Sequence, residues 1–308
     1  MKNSTLCEQF LLISFELSQK VMKNYSSKFS KKTYRQSQLL ALLIFKRYNH
    51  WTYRQTQEQI SFNPRISQVL GLRKIPDYST LHKFYTRVDE KILEKVFQLL
   101  LKELKRTLSG RRDAIGDSTG YRLTNAGPHY VASSWHQDKI TAFRGRKPCR
   151  PYLKHTLLID EKTILIFGQH VSWGPASDTR ELKPAMKTKP SWFRIKRLAM
   201  DRGFDSLKNH RYIHCNLKAR SVIRIGNRVS KRTPSQFRRW LWQYFPRVFY
   251  RKRAKAEGCI SVMKRKFSNY VLTRIPNLRH SEILMLGIVY NLYRGIQLGL
   301  LLLFFIEF

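Results

Sequence analysis

Residues 114–119 read Ala-Ile-Gly-Asp-Ser-Thr, a short apolar run that carries an acid near its end. Residues 197–201 repeat the pattern as Arg-Leu-Ala-Met-Asp. Short apolar runs of this kind are typical of buried strands. Each run therefore predicts a strand that delivers a carboxylate at its end, Asp117 in the first and Asp201 in the second. Because the central strands of one sheet lie side by side, the two carboxylates are expected to converge.

The segments around these two runs predict an α/β sheet. Residues 155–159 and 163–170 read as two strands joined by a tight hairpin. A helix over residues 178–186, a further helix from about Ser206 and a strand over residues 221–225 follow. Three early strands, then helix, strand, helix, strand and helices, is the order of a ribonuclease-H-like mixed sheet flanked by helices.

The first third of the chain is predicted to be helical. Residues 1–34 indicate a flexible segment or one short helix, whereas residues 35–110 carry apolar residues at helical spacing and form an all-helical domain. Thr52, Ser79 and Asp89 are the expected helix starts. Two helices joined by a short connection resemble a DNA-binding helix-turn-helix, although any small helical bundle gives the same pattern.

The charge of the chain points to a polyanionic partner. Its 308 residues include 59 Lys plus Arg against 20 Asp plus Glu, a formal net charge of +39. Such an imbalance repels itself in a folded protein unless a polyanion compensates it. The basic residues spread along the whole chain, which favours nucleic acid over a membrane surface. The apolar run over residues 295–306 is too short for the roughly 20 residues that span a bilayer, so it predicts a core helix.

A four-residue pattern near the C-terminus suggests chemistry on a nucleic-acid backbone. Tyr250, Arg253, Glu257 and Lys264 fall within roughly 60° of one another on a helix of about 100° per residue. One carboxylate would then lie between two cations and a phenol on a single stripe. A metal-binding acid among phosphate-binding groups is what such chemistry requires. A basic, solvated helix is the alternative interpretation.

The scarce acids also predict a metal site. Asp117, Asp201 and Glu257 repel one another if they converge, unless cations lie between them. Hard oxygen ligands with no His or Cys nearby suit Mg²⁺ or Mn²⁺. The four cysteines are widely spaced, which indicates reduced thiols rather than a metal site or a disulfide framework.

Over roughly residues 35–297 the chain resembles the DDE transposases of the insertion-sequence four/five superfamily. The resemblance rests on residues 117–120, 201–205, 76–82 and 290–294 and on the Tyr250, Arg253, Glu257 and Lys264 signature. It implies that Asp117, Asp201 and Glu257 are a catalytic triad holding two Mg²⁺ or Mn²⁺ ions. It also implies that Tyr250, Arg253 and Lys264 contact DNA near the scissile phosphate.

The same resemblance implies an activity and its partners. A transposase of this type binds the terminal inverted repeats of its element, cleaves the DNA and transfers the 3′ ends to target DNA by two-metal phosphoryl transfer. It implies a homodimer on double-stranded DNA, acting in the cytoplasm at the nucleoid, with no membrane partner. Two alternatives remain: a non-transposing nuclease on the same fold, and a catalytically decayed copy that only binds DNA.

Three further segments complete the expected organisation. Residues 111–297 form the catalytic domain, and residues 298–308 form an apolar C-terminal tail. Residues 128–150, between the first two predicted strands, are basic and aromatic. They are interpreted as an arm that contacts DNA, with a solvated loop as the alternative.

Overall fold

The computed structural model describes residues 5–123, 152–225 and 236–301. The predicted DNA-contacting arm at residues 128–150 and residues 302–308 of the predicted tail lie outside these ranges. Their expected roles therefore stay predictions.

The part of the chain before the sheet is helical, as predicted. Its helices are α1 (Leu6–Val21), α2 (Gln36–Tyr48), α3 (Tyr53–Phe62), α4 (Pro64–Leu70), α5 (Tyr78–Tyr85), α6 (Glu90–Glu103) and α7 (Lys105–Leu108). After them come β1 (Arg111–Leu123), β2 (Tyr152–Asp160), β3 (Ile166–Gly174), α8 (Asp178–Lys187), β4 (Arg194–Met200), α9 (Leu207–Arg211), β5 (Arg220–Ile223), α10 (Gln236–Gln243), α11 (Arg247–Arg251), α12 (Ala254–Lys266), β6 (Tyr270–Val271) and α13 (Pro276–Gln297).

Two of the three predicted helix starts are confirmed. Thr52 caps α3 by accepting a hydrogen bond from the Gln55 amide, and Asp89 caps α6. The predicted start at Ser79 is wrong by two residues, because the Asp77 carboxylate accepts from the Ser79 amide and starts α5 earlier.

The first helix is longer than expected. The sequence predicts at most a short helix before residue 35, whereas α1 has 16 residues. Phe10, Ile13 and Leu17, one apolar stripe at helical spacing, are buried. The helix packs on α2, α4, α6 and α13, so it belongs to the same helical layer as the residues that follow it.

The sheet has the order β3-β2-β1-β4-β5, with β6 pairing the end of β1. The β1–β2 and β2–β3 pairs are antiparallel, and the β1–β4 and β4–β5 pairs are parallel. This is the mixed, ribonuclease-H-like sheet that the element order predicts. Helices flank it, and α13 packs on β2 and β3.

The C-terminal helix joins the helical layer to the sheet. The Asn291 side chain on α13 accepts a hydrogen bond from the Ile166 amide and donates one to the Ile166 carbonyl. Near the other end of α13, Glu282 lies 3.1 Å from the Arg47 guanidinium on α2. Both side chains are almost fully buried, at 7% and 2% exposure. Among the described residues, no helix is long and apolar enough to cross a membrane.

The buried Arg47–Glu282 pair generates a stability prediction. Arg47→Ala removes the cation that contacts the Glu282 carboxylate and leaves the carboxylate with the Leu272 and Thr273 amides and the nearby Lys46 charge. The free energy of unfolding is expected to fall by about 1–3 kcal/mol. Urea denaturation followed by circular dichroism measures the loss. Arg87→Ala, which removes an exposed arginine, is the control. An equal, small loss in both variants would contradict a structural role for the pair.

Candidate active site

Strand pairing brings the two aspartates together. Gly116 of β1 pairs with Met200 of β4, so the next residues, Asp117 and Asp201, lie at neighbouring positions. Asp201 directly follows the last residue of β4, as predicted. Asp117 does not end its strand, because β1 continues to Leu123 alongside β2 and β6.

Glu257 reaches the same place from a helix. The sequence predicts one continuous helix through Tyr250 and Lys264, but the structure has two. Helix α11 ends at Arg251 and α12 begins at Ala254, with Arg253 at the junction. Glu257 lies in the first turn of α12, where a carboxylate is favourable for the helix dipole.

The guanidinium of Arg253 lies at the centre of the three acids. Its Nη1 atom is 2.8 Å from Glu257 Oε1 and 3.8 Å from Asp117 Oδ2. Its Nε atom is 3.9 Å from Asp201 Oδ1. The structure thus brings Asp117, Asp201 and Glu257 together around one cation, although their catalytic role stays a prediction.

Tyr250 borders this cluster. Its hydroxyl lies 3.5 Å from Asp201 Oδ1, and its ring packs edge-on against Phe245, with centroids 5.1 Å apart. Burial and the Asp201 charge raise the pKa of the Tyr250 phenol. The phenol therefore stays protonated at neutral pH and acts as a hydrogen-bond donor.

Lys264 lies further away. Seven residues along α12 separate it from Glu257, about 10 Å at the rise of an α-helix. Its ammonium is 5.5 Å from the Tyr121 ring of β1. Burial and the nearby Arg122 lower the pKa of Lys264. The structure thus places Lys264 on the predicted face of α12, but outside the carboxylate cluster.

Asp117 is the least exposed of the three acids. Its side chain is 18% exposed, against 48% for Asp201 and 56% for Glu257. Burial raises the pKa of Asp117 to about 6, and the Asp201 and Glu257 charges act in the same direction. A hydrogen bond from the Ser118 amide, 2.8 Å long, and the Arg253 charge oppose the rise.

The cluster fits a divalent cation in its chemistry but not in its present spacing. Carboxylate oxygens are the ligands that Mg²⁺ and Mn²⁺ prefer. Yet within residues 5–123, 152–225 and 236–301, no group of three or more His, Cys, Asp or Glu side chains is arranged to hold a metal ion. Arg253 gives a physical reason, because its guanidinium lies among the acids and supplies their countercharge.

Sequence reasoning missed Glu161, which holds the junction that carries Arg253. Its carboxylate, 5% exposed, lies 2.6 Å from the Lys255 ammonium and 3.2 Å from that of Lys252. These two lysines flank Arg253 in the sequence. The sequence signal that could have indicated Glu161 is the presence of an acid, which is rare in this chain, in the predicted hairpin between β2 and β3.

Asp205, four residues after Asp201, pairs with Arg238 of α10 at 2.5 Å and with His210 of α9 at 3.1 Å. These contacts fasten the segment after β4 to two helices.

Two family models match the chain. Residues 108–292 match the model of the family described as "Transposase DDE domain". The chain belongs to the DDE transposase family. Residues 2–87 match a second model, "Transposase domain (DUF772)", which takes in α1 as well as the helices after it.

Solved transposases are similar to this family member at low identity. A piggyBac transposase synaptic complex with hairpin DNA is 10% identical, with 96% of this chain and 76% of that chain covered and a TM-score of 0.45. The Mos1 strand transfer complex is 13% identical, with 76% and 78% covered and a TM-score of 0.24. A Mos1 mariner paired-end complex with Mn is 12% identical, with the same coverage and a TM-score of 0.23. No curated protein matches the chain in sequence.

The raised pKa of Asp117 generates a prediction about stability and pH. The folded pKa of about 6 lies above the usual 3.8, so the folded state binds more protons between these values and loses stability as pH rises through them. Asp117→Asn removes this loss. In metal-free buffer the variant is expected to be more stable than the wild type by about 1–3 kcal/mol at pH 7, and by much less near pH 4.

Urea unfolding at both pH values measures the difference. The matched control is Glu94→Gln, which removes an exposed acid of α6. If the stability difference between Asp117→Asn and the wild type is the same at pH 4 and pH 7, the raised pKa is wrong.

Proposed function

We propose that this chain is the transposase of an insertion sequence, which binds the terminal inverted repeats of its element, cleaves the DNA and transfers the 3′ ends to target DNA. The observation that supports this most is the convergence of Asp117, Asp201 and Glu257, from two neighbouring strands and a helix, around Arg253. The +39 charge supports double-stranded DNA as the partner and the nucleoid as the place of action. A homodimer on the two element ends is part of the proposal.

The three carboxylates are the proposed ligands of two divalent cations. Bound there, Mg²⁺ or Mn²⁺ supplies Lewis acidity for an attacking oxygen and for the leaving 3′-oxygen. The partly buried Asp117 carboxyl, with a pKa of about 6 in the metal-free cluster, must lose its proton to become a ligand.

Arg253 is proposed to exchange partners when DNA arrives. In the DNA-free chain its single positive charge offsets part of the negative charge of the acids. A DNA phosphate offers the same bidentate geometry as a carboxylate, and guanidinium binds either. When Arg253 turns to a phosphate, the acids lose their countercharge and become available to divalent cations. Substrate binding and metal binding would then favour each other.

Tyr250 and Lys264 are proposed to bind further phosphates of the same DNA strand as Arg253. The protonated phenol of Tyr250 is a donor next to Asp201, suited to a phosphate oxygen. Lys264 and Arg122 repel each other at the end of β1. An anion placed between the two cations lowers their electrostatic repulsion energy.

The alternative is a decayed or non-transposing relative that binds DNA. The +39 charge supports it, because that charge favours DNA binding whether or not the chain cleaves DNA. An assay for joining of element ends to target DNA separates the two proposals, because only a transposase produces joined strands.

Glu257→Gln tests the proposed catalysis. The change keeps the size of the side chain and removes one charge from the ligand set, so cleavage in Mg²⁺ is expected to fall at least about 100-fold. DNA affinity is expected to persist or increase, since an anion near the phosphates is gone. Nicking of a duplex taken from the ends of the DNA element that carries the gene is measured on gels, with binding measured separately.

Glu94→Gln serves as the control for that experiment. Glu282, although close to Glu257 in sequence, is unsuitable because it forms the buried pair with Arg47. Cleavage by Glu257→Gln at near wild-type rate would show that the assigned triad is wrong.

Arg253→Gln tests the partner exchange. Removing the guanidinium leaves three carboxylates without a countercharge, so DNA-free protein is expected to bind Mn²⁺ about ten-fold more tightly than the wild type. Isothermal titration calorimetry measures the affinity. Arg251→Gln makes the same charge change at an exposed site two residues away. Equal gains in both variants would mean that only the net charge matters.

A further inference from the structure

A basic surface lies at the opposite end of the sheet from the carboxylates. An open groove of about 760 Å³ runs between the first residues of β1, β4 and β5 and helix α10. Its wall includes four cations and one indole, namely Arg111, Lys196, Lys218, Arg220 and Trp240. Among the described residues, no Asp or Glu lines it.

The groove is separate from the candidate active site. Arg111 and Asp117 lie six residues apart on the same strand, which corresponds to about 20 Å at the rise of a β-strand. The groove and the carboxylate cluster are therefore two separate places on the chain.

Two of the cations, Arg111 and Arg220, are held in place by backbone carbonyls. Arg111 Nη2 donates to the Lys218 carbonyl at 2.6 Å, and Arg220 Nη2 donates to the Tyr244 carbonyl at 3.1 Å. Arg197, which also lines the groove, differs because it forms an ion pair with Asp113. Arg111 and Arg220 therefore keep their full positive charge facing an anionic ligand.

An exposed indole completes the groove. Trp240 is 46% exposed, and the Arg220 guanidinium lies 5.7 Å from its ring centroid. Trp242, two residues further along α10, is 55% exposed but does not line the groove. Cations that follow a backbone, next to an aromatic face on which a base stacks, are the pattern of single-strand binding.

We propose that this groove binds single-stranded DNA. Phosphates lie against Arg111, Lys196, Lys218 and Arg220, and one unpaired base stacks on Trp240. A duplex fits this arrangement less well, because its base faces are covered by their neighbours in the stack. The site requires neither the carboxylates nor Arg253, so it stands or falls independently of the proposed catalysis.

Fluorescence anisotropy with a labelled oligothymidylate of about ten nucleotides tests the proposal. Trp240→Ala is expected to weaken binding about ten-fold, because loss of one base–aromatic stack costs about 1–3 kcal/mol. Trp242→Ala, the matched control on the same helix, is expected to bind as the wild type does. Trp240→Phe keeps an aromatic face and is expected to restore most of the affinity.

The charge of the groove is tested in the same assay. Lys196→Gln combined with Lys218→Gln is expected to lower the slope of log affinity against log salt by about 1.4, from about 0.7 per phosphate lost. The control pair, Lys91→Gln with Lys95→Gln, removes two exposed lysines of α6. Equal changes in slope for both pairs would assign the effect to the general basic surface and overturn the proposal.

Two further results would overturn it. One is an equal loss in Trp240→Ala and Trp242→Ala, or none in either. The other is a loss of duplex affinity in Trp240→Ala as large as the loss for the oligothymidylate. Photocrosslinking of a 5-iodouracil oligonucleotide to the wild-type protein gives an answer even if a variant fails to fold. A crosslink at Trp240 supports the groove, and crosslinks only elsewhere contradict it.

Discussion

The candidate site depends on one constraint, the repulsion among three carboxylates of like charge. Asp117 and Asp201 are neighbours because β1 and β4 run parallel, and Glu257 is brought to them by α12. Acids so placed need a cation nearby. Arg253 supplies it at 2.8–3.9 Å. Three features place the acids and Arg253 next to one another: the sheet order, the junction between α11 and α12, and the ion pairs of Glu161 with Lys252 and Lys255.

Much of the fold was readable from local pattern. The apolar runs before Asp117 and Asp201 predicted their strands, and the order of elements predicted the mixed sheet, because strand burial and short connections leave their mark in sequence. The convergence of the three acids followed from the same order. Thr52 and Asp89 were found because a capping side chain acts within three residues of itself.

The features that the sequence did not predict depend on contacts between distant segments. A residue spacing that fits one helix did not reveal the break before Ala254, since Lys252 and Lys255 are held by Glu161 from a hairpin about ninety residues earlier. The length of α1 was missed because its apolar stripe is buried by elements that follow it in the chain, namely α2, α4, α6 and α13. That Arg253 faces acids rather than solvent is likewise a tertiary fact, which spacing alone does not encode.

The tether at Glu161 has a consequence for how fast the site responds. Because Lys252 and Lys255 fasten the junction to the β2–β3 turn, the backbone that carries Arg253 is anchored on both sides of it. The partner exchange proposed for Arg253 then needs only rotation of its own side-chain torsions, with no movement of α11 or α12. Rotamer changes take picoseconds to nanoseconds, whereas collective domain motions take microseconds to milliseconds. Encounter with DNA, rather than rearrangement of the fold, would therefore set the pace at which the carboxylates are uncovered.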